Sequence, residues 1–275
     1  MDDRISPDER ISPDKLNELR GRFPPPLVID VRSPPAFEAA SEAIPGAIRR
    51  TPEQVGEWAD EIEIGRRIVV YCAHGDAVSQ QAAGALRSRG RAAVYLDGGI
   101  ESWRAHSLTL AAKPAAPTLW VTRERPKIDR IACPWLIRRF IDPDARFLYT
   151  PPSEVLEIAA SSGAIPYDIP GVEFSHEGER CSFDAFIRRY ALHDAALDAL
   201  ADIVRGADTS RLDLTAQSAG LFAISLGLSS VFADDQRMLL HGIVIYDALY
   251  AWCRSLQGET HSWPPVMPAR SGTER

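Results

Sequence analysis

The sequence predicts an α/β first half, built on a mostly parallel sheet with helices on both faces, followed by a mostly α (α+β) second half. Three observations carry this. Short β-prone apolar runs alternate with helical periods between residues 13 and 103. An Ala/Pro stretch at 111–118 then interrupts the pattern. Beyond residue 195 long apolar helical periods dominate.

The chain opens on an echo, Arg4-Ile5-Ser6-Pro7-Asp8 repeated as Arg10-Ile11-Ser12-Pro13-Asp14, of which one copy is expected to be a disordered extension. Ser12 can cap a helix over 13–20, with Pro13 at the first position, where its missing N–H costs nothing. Pro24-Pro25-Pro26 stops that helix. There follow a buried strand (27–31), a short helix (35–40), an edge strand at Ile48 and a helix (52–62). The central strand (68–71), a helix (78–89) and a strand (93–96) complete the series. Strands separated by helices pair in parallel.

The 68–83 segment organises this half. Ile68-Val69-Val70-Tyr71 ends at Cys72, Ala73-His74-Gly75-Asp76 follow, and a helix begins near Val78. Backbone N–H groups of such a loop and the positive end of the helix can stabilise an anion on the Cys72 sulfur. A thiol so placed is expected to be reactive. His74 lies two residues away and can donate to an incoming anionic sulfur donor. Asp30 and Arg32 stand at the end of the first strand, where they orient the loop or pair with each other.

These residues resemble the active-site loop of the rhodanese family, in which a cysteine carries a persulfide in a six-residue cradle. Leu27-Val28-Ile29-Asp30-Val31-Arg32 with Ala43-Ile44-Pro45-Gly46-Ala47-Ile48, and Tyr95-Leu96-Asp97-Gly98-Gly99-Ile100-Glu101-Ser102-Trp103, match the flanking signatures. The resemblance implies a rhodanese-like fold over 11–110 and a catalytic set of Cys72, His74, Gly75, Asp30 and Arg32. Many members place an arginine late in the cradle, where this chain has Asp76, Ala77 and Val78. Weak thiosulfate turnover is therefore expected, with sulfur supplied by another small molecule or by a protein.

Composition bounds the rest. At 275 residues with 45% hydrophobic content, the chain can form two packed cores. Met1-Asp2-Asp3-Arg4 leads into no apolar run, and no stretch reaches membrane-spanning length, so a cytoplasmic location is expected. Cys72, Cys133, Cys181 and Cys253 show no paired spacing and fit reduced thiols. A net charge of −7 argues against broad nucleic-acid or membrane affinity.

The second half, 119–258, starts with a strand at 119–122 and a basic run of Arg123, Arg125, Lys127, Arg130, Arg138 and Arg139 against Glu124 and Asp129. A helix from Asp129 or Pro134 to 141 follows. Further expectations are a strand at 147–149, a helix over 154–160 capped by Ser153, a strand at 172–174, a helix over 183–190 capped by Ser182, and a helix over 195–204. Two long helices (215–227 and 234–256) precede a disordered tail, 259–275. Cys253 is expected to be buried and inert. Lys127 to Asp142, His176 to Phe183 and Gly242 to Trp252 resemble the C-terminal domain of the chromate-resistance protein family.

Asp129 and Cys133, four apart on a helix, share a face, and the loop carrying His176, Glu177 and Cys181 can fold over it. Together they form a candidate site for a transition metal, zinc or iron. Arg125, Lys127, Arg130 and Arg139 are the candidates for a chromate-like oxyanion. The functional expectation is a chromate-resistance-type protein that carries sulfur on Cys72 and binds an oxyanion or metal in its second domain. The alternatives are a chromate-responsive transcriptional regulator that touches nucleic-acid phosphates through the basic run, and a catalytically silent rhodanese interaction module. Oligomeric state is left open.

Overall fold

The computed structural model describes residues 10–21, 25–62, 65–113, 118–255 and 257–258. The expected N-terminal extension, Pro24, the linker residues 114–117 and the tail 259–275 lie outside the described residues. Among the described residues no helix is long and apolar enough to cross a membrane.

The first half contains β1 (Arg10–Ile11), α1 (Pro13–Arg20), β2 (Leu27–Asp30), α2 (Pro34–Ala39), β3 (Glu42–Ala43), β4 (Ile48–Arg49) and α3 (Val55–Trp58). Next come β5 (Arg67–Tyr71), α4 (Ala77–Ser88), β6 (Ala92–Leu96), α5 (Gly99–Ala105) and β7 (Ala111–Ala112). Five strands form a parallel sheet in the order β1-β6-β5-β2-β4. Ser12 caps α1 by accepting from the Lys15 N–H. The segment 52–62 is a helix only in part: α3 is one turn between two 3₁₀ turns, Pro52–Gln54 and Ala59–Glu61. Gly56 weakens helix there, and the Trp58 indole is tied back to the Thr51 carbonyl.

β5 runs down the middle of the sheet and is buried on both faces, as parallel strands require. Ile68, Val70 and Cys72 point into one apolar cluster, with Ala82, Ala83 and Leu86 of α4. Val69 and Tyr71 point into the other, with Leu16, Leu19 and Trp103. Each buried branched or aromatic side chain contributes about 1.5–3 kcal/mol of transfer free energy. The carboxyl end of β5, where Cys72 stands, is thereby fixed by two cores at once.

The second half contains β8 (Leu119–Arg123), α6 (Asp129–Leu136), β9 (Arg146–Thr150), α7 (Val155–Ser162), β10 (Ile165–Pro166), α8 (Ser182–Arg189), α9 (Ala195–Asp208), α10 (Ser218–Val231) and α11 (Asp235–Ser255). A three-stranded parallel sheet, β10-β8-β9, is covered by the helices. Trp120, Trp135, Phe183 and Tyr246 fill the core. Pro134 sits inside α6 and a π-helical turn, Ile137–Ile141, follows. Proline cannot donate to the Arg130 carbonyl, and the Tyr149 hydroxyl donates to that carbonyl instead.

Four local expectations are corrected. Ser153 does not cap α7, whose N-cap is Glu154. Residues 172–174 contribute a single bridge, Tyr167 to Phe174, because the β10 edge is only two residues long. Cys181, not Ser182, is the N-cap of α8, with Asp184 accepting from its N–H. Ala111 is no linker residue: it is 3% exposed in the second domain's core, and β7 pairs with β3.

The halves meet along a close seam. The Arg20 guanidinium donates to the Pro45 carbonyl and lies over the rings of Trp103 and Phe140, one from each half. Gly46, at φ +73°, approaches the backbone of Arg139 so closely that a Cβ would stand 2.2 Å from its carbonyl oxygen.

Candidate functional site

Two constellations carry chemistry. The first is the loop from Cys72 to Asp76, between β5 and α4. Cys72 Sγ lies 3.1 Å from Asp76 Oδ1, to which its S–H donates, and 3.1 Å from Ser79 Oγ. Asp76 also accepts from the Val78 N–H as the N-cap of α4. The sulfur therefore faces a carboxylate and a hydroxyl, where the sequence led us to expect backbone N–H groups. The loop is held from outside: the Ile100 and Glu101 N–H groups of α5 donate to the carbonyls of Cys72 and Ala73. Gly75, at φ +70°, packs on Leu96 and Gly98, and a Cβ there would come within 2.7 Å of their backbone atoms. His74 is exposed on the loop's outer side.

Asp30 and Arg32 form a buried bidentate pair, with contacts of 2.5–3.0 Å. Tyr71 donates to Asp30 at 2.8 Å, and Arg32 reaches the Glu42 carbonyl. Burial, reinforced by the Asp30 charge, pushes the Tyr71 phenol well above its ordinary range. The side-chain hydrogen bonds of this pair reach β3 and β5. The pair ties β2 to β5 through Tyr71, the residue before the cysteine.

The second constellation gathers residues far apart in sequence. His176 Nε2 lies 3.1 Å from Asp208 Oδ2, 3.5 Å from Asp168 Oδ1 and 3.7 Å from Asp129 Oδ2. Asp129 opens α6 and is fully buried. It is preceded by Ile128 at φ +37°, a costly conformation for a branched residue. That backbone is held by the Ser225 hydroxyl on the Ile128 N–H and the Tyr246 hydroxyl on its carbonyl. Asp129 Oδ2 accepts from the Ser182 and Phe183 N–H groups at the start of α8, a favourable place for a negative charge. Asp129 Oδ1 is buried without a hydrogen-bond partner.

Burial, then the charges of Asp208 and Asp168, push the Asp129 carboxyl well above the usual carboxylate range. Burial acts the same way on Asp168. Hydrogen bonds from His176, Ser182 and Arg123 outweigh it and hold Asp168 low. Hydrogen bonds to Asp168 and Asp208 raise His176 to about 10. In this state the imidazolium stands between three carboxylates.

Of the sequence-predicted metal ligands, the structure brings Asp129 and His176 together. Cys133 and Cys181 are fully buried behind them, and burial followed by the Asp129 charge raises both thiols well above their ordinary value. Shared helical face put Cys133 near Asp129, but that face is core. Glu177 turns outward to Arg188 and Arg189. Asp168 and Asp208 were missed. Asp208 stands in the last turn of α9, the end where negative charge is disfavoured, but the expected helix stops at 204, short of it.

The basic run does not converge on an oxyanion site. Arg125 donates to the Ser229, Phe232 and Ala233 carbonyls at the end of α10. Arg130 bonds the Arg123 and Glu124 carbonyls and pairs with Asp168. Arg139 forms a bidentate pair with Asp247, which also accepts from the Trp135 indole. It faces a cleft of about 290 Å³ along the seam, remote from these others. Lys127 is half-buried beside α6. Cys253 is half-exposed instead of buried, and burial with the Asp194 charge raises its thiol to about 11.

A parallel sheet with a cysteine loop at the end of its central strand, joined to a helical domain holding a histidine–aspartate cluster, defines a two-domain rhodanese-like protein. The chain belongs to the rhodanese-like family through residues 12–106 and carries a ChrB C-terminal domain at 120–253. It is 33% identical over 132 residues to Protein ChrB of Cupriavidus metallidurans, which covers 48% of this chain and 39% of that protein. This chain thus matches well under two thirds of that relative's length. It is 36% identical over 97 residues to the thiosulfate sulfurtransferase GlpE of Pseudomonas syringae pv. syringae, covering 35% of this chain and 87% of that one. Among solved structures, a rhodanese-related protein from Thermoplasma volcanium matches at 29% identity and TM-score 0.33, over 37% of this chain and 95% of its own. The protein thus combines a rhodanese-like domain with a ChrB C-terminal domain.

Proposed function

We propose that this chain is a chromate-resistance-type protein whose first domain carries sulfane sulfur on Cys72 and whose second domain handles an ion. One observation carries the sulfur half: Cys72 ends the central strand in a braced loop, with Asp76 Oδ1 placed 3.1 Å from the sulfur to take its proton. The Cys72 sulfur attacks the sulfane sulfur of a persulfide donor. The donor's S–S bond breaks, the donor leaves as a thiolate, and the thiol proton passes to Asp76. Cys72 is left as a persulfide, which an acceptor nucleophile discharges. The residues from Cys72 to Val78 include no arginine or lysine, and the Asp76 charge repels a dianion such as thiosulfate. A protein or low-molecular-weight persulfide is therefore the donor. Cyanolysable sulfur, measured after loading with a persulfide donor, should approach one per chain in the wild type. Its presence at the same level in Cys72→Ser would overturn the assignment.

The ion-handling half rests on the Asp129–His176–Asp208 cluster. Chromate binding by the full chain, measured by equilibrium dialysis, tests it. The regulatory alternative loses support from the internal bonds of Arg125, Arg130 and Arg139.

A further inference from the structure

Deepening the ion-handling reading above, we propose that Asp129, Asp208 and His176 hold a divalent cation of the Mn²⁺ class, with Asp168 fixing the site from outside and with no thiolate among the ligands. The candidate ligand atoms of the three residues lie within 4.8 Å of one another. Independent of that convergence, Asp129 Oδ1 is sealed from solvent and accepts no hydrogen bond in a protein that otherwise satisfies this side chain with two helix N–H groups. A buried carboxylate oxygen left without a donor calls for a cation.

The charges divide in the same sense. Asp168 is already accounted for by Arg123, Arg130 and Ser182. Asp129 and Asp208 have no arginine or lysine paired to them among the described residues and meet across His176. Asp208 stands at the carboxyl end of α9, where the helix itself opposes a negative charge and a metal ion would relieve it. His176 has 42% and Asp208 18% of its side chain exposed, so the cluster opens to solvent on their side and is closed on the side of Asp129.

The donor set decides the class of ion. Two carboxylates with one imidazole suit Mn²⁺ or Fe²⁺ over the soft-ligand metals. Cys133 and Cys181, which a zinc–thiolate site would use, are buried in the core and contribute no atom to the ligand group. Three protein ligands leave coordination positions to water or to an oxyanion, which gives the second domain a way to take up an anion without a cage of arginines. Asp168, anchored by three donors, keeps His176 and the start of α8 in place.

The test uses full-length protein stripped with chelator and titrated with Mn²⁺, following the six-line electron paramagnetic resonance signal of the free ion. One Mn²⁺ per chain with micromolar affinity is expected. His176→Gln and Asp208→Asn, both at the solvent side where folding is least disturbed, should each weaken binding by about tenfold or more, comparing with the effects of removing even outer ligands. Glu177→Gln should bind as the wild type does. Absence of a stoichiometric site, or retention of Mn²⁺ by both His176→Gln and Asp208→Asn, would overturn the inference, as would a site lost only in Cys133→Ala or Cys181→Ser. Chromate binding by the stripped chain, in the absence of a Mn²⁺ site, would leave the ion-handling reading standing and remove this one alone.

Discussion

The two constellations handle negative charge in opposite ways. At Cys72 one carboxylate, Asp76, is exposed to water, caps the helix that follows, and touches the sulfur from the end of a single contiguous loop. At His176 three carboxylates and the histidine come from four separate segments, with Asp129 sealed in the core, while Arg123 and Arg130 reach only Asp168 of the three. The first arrangement is cheap, because solvent screens it and the same residue does two jobs. The second is costly, because desolvated like charges raise one another's energy. A fold retains such a cost where the cluster has a task. The contrast suggests that the first domain varies its chemistry by exchanging loop side chains, and the second by what it binds.

The comparison can be broken or sharpened by substitution. The largest effect is expected for Cys72→Ser, which should abolish sulfane-sulfur loading while leaving the thermal transition in place. Next comes Asp129. Asp129→Ala leaves the Ser182 and Phe183 N–H groups without their acceptor and should cost about 1–3 kcal/mol in denaturant unfolding. Asp129→Asn keeps an acceptor oxygen and removes a crowded charge, so its stability should match or exceed that of the wild type. If both substitutions destabilise equally, the carboxylate charge is not the source of the strain.

Asp76→Ala removes a cap exposed to water and should cost about 1 kcal/mol, the ordinary value for an N-cap. Ala77→Arg, at the first position of α4, places a cation near the sulfur and should raise thiosulfate turnover about 5-fold, the effect of roughly 1 kcal/mol of screened attraction. The smallest effect concerns pH. His176 is raised to about 10. The stabilisation it provides is complete below about pH 6.5, its unfolded value, and is lost as pH rises through the folded value. Because 42% of the side chain is exposed, screening keeps the effect small. The melting temperature of metal-free wild type should fall more between pH 7 and 10.5 than that of His176→Gln, and parallel curves would refute the charged state.

What could be read from the sequence was what is local. Ser12 capping α1, the strand ending at Cys72, and the helix after it are each encoded within a few residues, and the structure places them within one or two positions of expectation. The same reasoning put Asp129 and Cys133 on one face correctly but could not tell that the face, beyond Asp129, packs into Trp135, Phe183 and Tyr246. Asp168 sits at φ +52° between a buried tyrosine and an isoleucine, with no periodicity to announce it. The basic run looked like a patch because its residues are adjacent in sequence; in space Arg125 serves α10, Arg130 serves Asp168 and Arg139 serves α11.

The close approach of Gly46 to the Arg139 carbonyl has an evolutionary consequence. The Ala/Pro stretch looks like the natural crossover point for shuffling a rhodanese module onto a new neighbour. A replacement module bearing any side chain at that turn would collide with the backbone of the second domain. A functional chimera therefore needs a glycine at that turn to clear the backbone of the 137–141 turn.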